Sequence, residues 1–187
     1  MEKMFKQWNP NTTMRCAIFE ENGSSHGVRR MLSHVIVQNA VRRMGDFVLC
    51  TCPANALEPY LQNDNGWNQG QIFFTPDKVW GMPPYHAQKL SSEHHQPLLI
   101  ESTMVGRRDN SLNITATRSE DGKEIVLHIA NLSTEPRSIE LDFGSFGIDF
   151  DFSDTYTYLS VDDGKIKTGL LFSQEYNRSI FEKDCHV

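Results

Sequence analysis

The stretch Met14-Arg15-Cys16-Ala17-Ile18-Phe19-Glu20-Glu21-Asn22-Gly23-Ser24-Ser25-His26 carries the reading of the whole chain. Cys16 to Phe19 is an apolar run too short for a helix and suited to a buried strand. It stops at two carboxylates, then at Asn22-Gly23 and a Ser-Ser-His loop, and a helical pattern follows at once. Strand, polar loop and helix make one step of a β/α fold. In such folds the chemistry gathers where the C-terminal end of a strand meets its loop. Neighbouring residues of a strand face opposite ways, so at most one of Glu20 and Glu21 can point into a pocket there.

Working outward, Val28, Met31, Leu32, Val35, Ile36, Ala40, Val41 and Met44 recur at helical spacing and predict one apolar stripe. Arg29, Arg30, Gln38, Arg42 and Arg43 fall mostly off it. Gly45 stands where a helix-ending glycine belongs, and Arg42 and Arg43 suit the negative end of the helix dipole. His34 lies between the stripe and the polar side, where a surface or packing role is the ordinary reading. Phe47 to Cys52 is a second apolar run, either a buried strand or a short helix, stopped by Pro53.

The segment from Ala54 to Gly70 is rich in Asn, Gly and Pro and reads as a long loop holding Tyr60 and Trp67. A strand is expected at Ile72–Phe74, and a short helix from Pro84 to Leu90 with proline in its first turn. His86, His94 and His95 match no standard metal-ligand spacing, so no metal or other cofactor is expected. Upstream of Met14, residues 1–13 read as a lead-in without an element of their own.

After about residue 97 the character changes. Leu98–Thr103, Leu112–Thr117, Ile125–Asn131, Ser138–Phe143 and Asp154–Val161 read as short strands. Asp121-Gly122 and Asp163-Gly164 are turn signals between them. The expectation is a mainly β chain: a C-terminal antiparallel, jelly-roll-like β-sandwich over 97–187, preceded by a partial β/α segment over 14–96. A lone β/α pair closes neither a barrel nor a sheet. The N-terminal part is therefore either an accessory packed on the sandwich or the last slice of a larger α/β domain. The aromatic and acidic segment Phe146–Phe152 is expected to fold onto the sandwich.

The totals exclude several classes. The 187 residues carry 39% hydrophobic and 22% charged residues with a net charge of -6, a globular composition without a basic surface for nucleic acid. No apolar run approaches the roughly 20 residues that cross a bilayer, and the N-terminus lacks a signal-peptide core. Cys16, Cys50, Cys52 and Cys185 show neither redox nor zinc spacing.

Four pieces in order now resemble a known family. They are Ile18-Phe19-Glu20-Glu21-Asn22-Gly23, the helix ending Val41-Arg42-Arg43-Met44-Gly45-Asp46, Trp67-Asn68-Gln69-Gly70-Gln71-Ile72-Phe73-Phe74, and Val79-Trp80-Gly81-Met82-Pro83-Pro84-Tyr85 to Leu90. Together with Asp121 to Leu132 they look like the end of the barrel and the C-terminal domain of glycoside hydrolase family 51, the α-L-arabinofuranosidases. The resemblance spans roughly residues 14–143. It implies that the chain holds the last two units of a (β/α)8 barrel and that the whole enzyme retains anomeric configuration.

A retaining mechanism needs one carboxylate nucleophile and a second carboxyl group about 5–5.5 Å away. The family pattern aligns Glu21 with the nucleophile and leaves Glu20 as the lesser choice; no Asn-Glu acid/base pair precedes Met14. Gln69, Trp67 and Asn22 align near the sugar, with Gln71 competing for the place of Gln69. The implied partner is an arabinose-containing oligo- or polysaccharide, and the fragment alone is expected to be inactive. A barrel slice would also leave apolar helix surface, with Val28, Leu32 and Val35 as candidates, open to self-association. The competing expectation is a non-catalytic sandwich that binds carbohydrate or caps a barrel.

Overall fold

The computed structural model describes residues 1–23, 25–61, 68–105, 110–135, 137, 139–142, 154–162 and 165–173. Within these residues the chain is a mixture of helices and strands in several small sheets, without a closed barrel. By compactness it divides into two units. One is Met1–Gly106 with Ile114–Ala130, and the other is Arg107–Asn113 with Asn131–Val187.

The first unit begins with α1 (Glu2–Trp8), where the sequence had suggested no element. Helix propensity alone does not sustain seven residues in water. Packing helps: Phe5 meets Phe47 with ring centroids 6.1 Å apart. The centre of this unit is β1 (Cys16–Glu21), α2 (Val28–Arg43) and β2 (Val48–Pro53), with a short 3-10 turn over Gly45–Phe47 leading into β2. Gly45 takes φ +54, the left-handed backbone that ends a helix without steric penalty only for glycine. β1 and β2 pair in parallel, so a strand–helix–strand unit is present and the second apolar run is a strand, not the short helix that its pattern equally allowed.

The pairing of β1 with β2 is not regular. From Ile18 to Glu21 β1 advances three residues while β2 advances two, from Thr51 to Pro53. This bulge breaks the two-residue alternation and leaves both Phe19 and Glu20 exposed, with Glu21 turned back under cover. Phe19 is 79% exposed and Leu49 of β2 is 58% exposed. Open apolar surface therefore lies on the strands; Val28, Leu32 and Val35 of α2 are half-buried.

The long loop contains a strand that periodicity did not reveal. β3 (Leu57–Pro59) runs parallel to β4 (Ile72–Phe74), and β4 pairs antiparallel with β5 (Val79–Gly81). The rings of Phe73 and Trp80 stack across β4 and β5 with centroids 6.1 Å apart. α3 (Pro83–Glu93) follows with proline in its first turn and packs on α2. Arg42 ties the two helices by donating to the Ser91 carbonyl at 3.1 Å and to the Ser91 hydroxyl at 2.5 Å.

A third sheet has the order β6 (Leu98–Ile100), β7 (Leu112–Arg118) and β8 (Ile125–Asn131), with β6 and β7 antiparallel. The turn signal holds: Gly122 takes φ +73, and Asp121 accepts from the Lys123 amide at 3.1 Å. The second unit contains the antiparallel pair β9 (Asp154–Asp162) and β10 (Lys165–Ser173). The strand expected over 138–143 does not form at residues 139–142. Residues 163–164, where a turn was expected, and the Phe146–Phe152 segment lie outside the described residues.

Candidate active site

The acids at the end of β1 part ways. Glu20 is exposed, and its carboxylate accepts from the Asn22 amide at 2.9 Å. The Glu21 side chain is 17% exposed, and its Oε1 lies 3.0 Å from Nδ1 of His34 on α2. That contact is at ion-pair distance but off the line of a hydrogen bond, and Glu21 Oε2 is buried without a hydrogen-bond partner among the described residues. Glu21 is thus the acid that the fold holds, and it faces the helix; Glu20 is the acid on the uncovered side.

Behind Glu21 sits a buried polar cluster assembled around Arg30. Arg30 and His34 are one helical turn apart on the side of α2 that meets the strand ends, and they are 3% and 1% exposed. The Arg30 Nε–H donates to His34 Nε2 at 3.1 Å. Its other guanidinium groups donate to the carbonyls of Ser25, Ala54 and Gln69. One side chain thereby joins the loop after β1, the residue after β2 and the loop before β4. Burial pulls the Arg30 pKa below its ordinary value, and the carboxylates of Glu21 and Glu58 oppose that pull.

Glu58 is the second buried acid, on β3 and only 4% exposed. One oxygen of its carboxylate accepts from the backbone N–H of Gln69 at 3.1 Å and of Gly70 at 2.6 Å. A Cβ on Gly70 would come within 2.4 Å of Glu58 Cβ, so the approach requires glycine there.

The residues assigned to sugar contact fare differently. Gln69 is buried, and its amide is engaged at both ends: Oε1 accepts from the Gly23 N–H at 3.1 Å and Nε2 donates to Asn22 Oδ1 at 3.0 Å. Gln69 therefore braces the loop after β1 in this structure. Gln71 is also buried. Asn22 is exposed and bridges Gln69 to Glu20. Trp67 lies outside the described residues. Tyr60 is half exposed, and its ring meets those of Phe73 and Trp80 edge-on at 6.3 and 5.3 Å.

Sequence reasoning did not find Arg30 or Glu58, and it placed His34 at the edge of a packing stripe. The buried residues of α2 are Arg30, Met31, His34 and Asn39, so no single apolar stripe faces the core. The only local signal was the four-residue spacing of Arg30 and His34. Among the described residues, no group of His, Cys, Asp and Glu gathers in a way that could hold a metal ion. Likewise, no described helix is long and apolar enough to cross a membrane.

No protein-family model matches the chain, and no curated protein does. Among solved structures the chain is similar to the arabinose-bound MgGH51 α-L-arabinofuranosidase, with a TM-score of 0.62 and 16% sequence identity. The match covers 83% of this chain and 25% of that one, so this chain spans a quarter of the arabinofuranosidase. At that identity the similarity shows a shared fold and no more.

Proposed function

We propose that this chain is the C-terminal part of a retaining α-L-arabinofuranosidase of glycoside hydrolase family 51. In this reading the whole enzyme hydrolyses terminal arabinofuranosyl residues from arabinan- or arabinoxylan-type polysaccharides. One observation carries the reading: a parallel strand–helix–strand unit whose first strand ends in two acids, on a fold shared with an arabinofuranosidase. Residues 14–96 would be the last units of the barrel and 97–187 a β-sandwich beside it.

The nucleophile is Glu21, as the family pattern implies. The buried side chains packed around its carboxylate support this, because an attacking group must be confined before the sugar arrives. Glu20 is the second choice, favoured by its uncovered position. Asn22 supplies a hydroxyl contact beside the acids, with Trp67 completing the sugar-binding set; Gln69, whose amide is engaged at both ends, acts through the loop that it braces. The acid/base carboxyl comes from residues outside this sequence, so the chain alone releases no arabinose.

The test is the full-length protein assayed with an aryl α-L-arabinofuranoside. Arabinose release should be abolished in the Glu21→Gln variant and retained in Glu20→Gln. Loss confined to Glu20→Gln moves the nucleophile by one residue. An inert full-length protein ends the enzyme reading. A second reading, a carbohydrate-binding module without catalysis, is favoured by the half-exposed Tyr60 set against Trp80. It predicts saturable tryptophan quenching by arabinan in the absence of hydrolysis.

A further inference from the structure

We infer that His34, oriented by Arg30, is a positioning residue that holds the Glu21 carboxylate ready for attack on the sugar. The inference rests on the reading of Glu21 as the nucleophile. It concerns residues that the resemblance to the arabinofuranosidases does not bring in.

The proton on the His34 ring can sit on either of two nitrogens. A neutral imidazole has one donor and one acceptor nitrogen. Arg30 cannot accept, and its Nε–H donates to His34 Nε2 at 3.1 Å, so Nε2 is the acceptor and the proton sits on Nδ1. Nδ1 is the atom 3.0 Å from Glu21 Oε1. The buried ring therefore sets a protonated nitrogen against the carboxylate, at ion-pair distance but off the line of a hydrogen bond, and Arg30 sets which nitrogen that is.

Arg30 is itself immobilised. Its guanidinium is anchored on the carbonyls of Ser25, Ala54 and Gln69, which belong to three separate loops at the same end of the β1–β2 pair. A displacement of α2 against the strand ends would have to break those bonds together. The order of control is thus backbone to Arg30, Arg30 to His34, and His34 to Glu21. Oε1 is the oxygen in contact with the ring, while Oε2 is buried and has no hydrogen-bond partner among the described residues.

Two amide substitutions separate positioning from packing. In the full-length protein, His34→Asn places its amide nitrogen near the site of Nδ1, facing Glu21. His34→Gln places its amide near the site of Nε2, facing Arg30. We expect His34→Asn to keep kcat within about 3-fold, and His34→Gln to lose roughly 10²-fold in kcat with KM little changed, the usual consequence of misplacing a reacting group. Both variants should unfold at similar urea concentrations. Equal losses, or the better activity in His34→Gln, would overturn the inference and leave the hydrolase reading intact. An inert wild-type protein would overturn both.

Discussion

The first turns of α2 and its last turns both use polar side chains, but against different partners. At the first end, Arg30 and His34 meet two carboxylates, Glu21 and Glu58. At the far end, the partners are neutral. Asn39 donates to the His128 carbonyl at 3.2 Å, and Arg43 donates to the Ile114 carbonyl at 3.3 Å and to the Thr115 hydroxyl at 2.5 Å. Arg42 binds Ser91, as described above. Charge is thus concentrated where the two strands end, and the opposite end uses backbone carbonyls and hydroxyls to dock the helix on its neighbours. A docking task needs only satisfied donors. A buried cluster of opposite charges adds little stability over apolar packing, yet removing one member of it is costly.

Substitutions at the two ends should therefore differ in size. The largest effect is expected for Glu58→Ala. It removes the acceptor of the Gln69 and Gly70 amides and a carboxylate that supports the Arg30 charge. Breaking a buried charged group of this kind costs about 3–5 kcal/mol, measured by urea unfolding. A loss below about 1 kcal/mol would show that the cluster is not closed to solvent.

The next effect is a pH dependence at the far end. His128 is 9% exposed and has a pKa lowered from 6.5 to about 4, first by burial and then by the charges of Arg42, His95 and His94. Above pH 6.5 the ring is neutral in both states and contributes no slope. Between pH 6.5 and 4 the unfolded chain binds the proton and the folded chain does not, so stability falls as the pH drops. Below pH 4 the effect levels off. The loss should reach at most about 3 kcal/mol. It should vanish in a His128→Phe variant; an unchanged slope there would assign it to other groups.

Asn39→Leu comes third. Asn39 is fully buried, and its loss leaves the His128 carbonyl without that donor, at about 1–3 kcal/mol. Last is Glu2→Gln on α1, which breaks the exposed pair with Lys6 at 2.7 Å. Surface pairs of this sort contribute about 0–1 kcal/mol, so a change beyond that range would mean that α1 is packed more firmly than its exposure indicates.

Much of the fold was legible because it follows from local pattern. The first short apolar run gave β1 and left β2 open between strand and helix, Gly45 gave the end of α2, the prolines gave the start of α3, and Asp121-Gly122 gave the turn between β7 and β8. The failures have a common physical origin. Arg30, the cluster's centre, is read from periodicity as a surface residue, because its partners Ala54 and Gln69 lie far along the chain. Glu58 stands in Leu57-Glu58-Pro59, a segment whose loop-like composition masks a strand that exists only through pairing with β4. The same limit applies to the candidate site. The residue types at the end of β1 were visible, and their alternation was expected. Which acid is held and by what depended on the irregular step from Ile18 to Glu21 and on α2 across from it.

That irregular step also affects how residues are carried between relatives. Matching a catalytic acid by counting along a strand assumes an uninterrupted two-residue repeat. A homologue with one residue fewer between Ile18 and Glu21 would turn the neighbouring acid toward the helix, although the letters of the two sequences would still align. Transfer of a role at this strand end is therefore sound only when the hydrogen-bond register is compared along with the residue names.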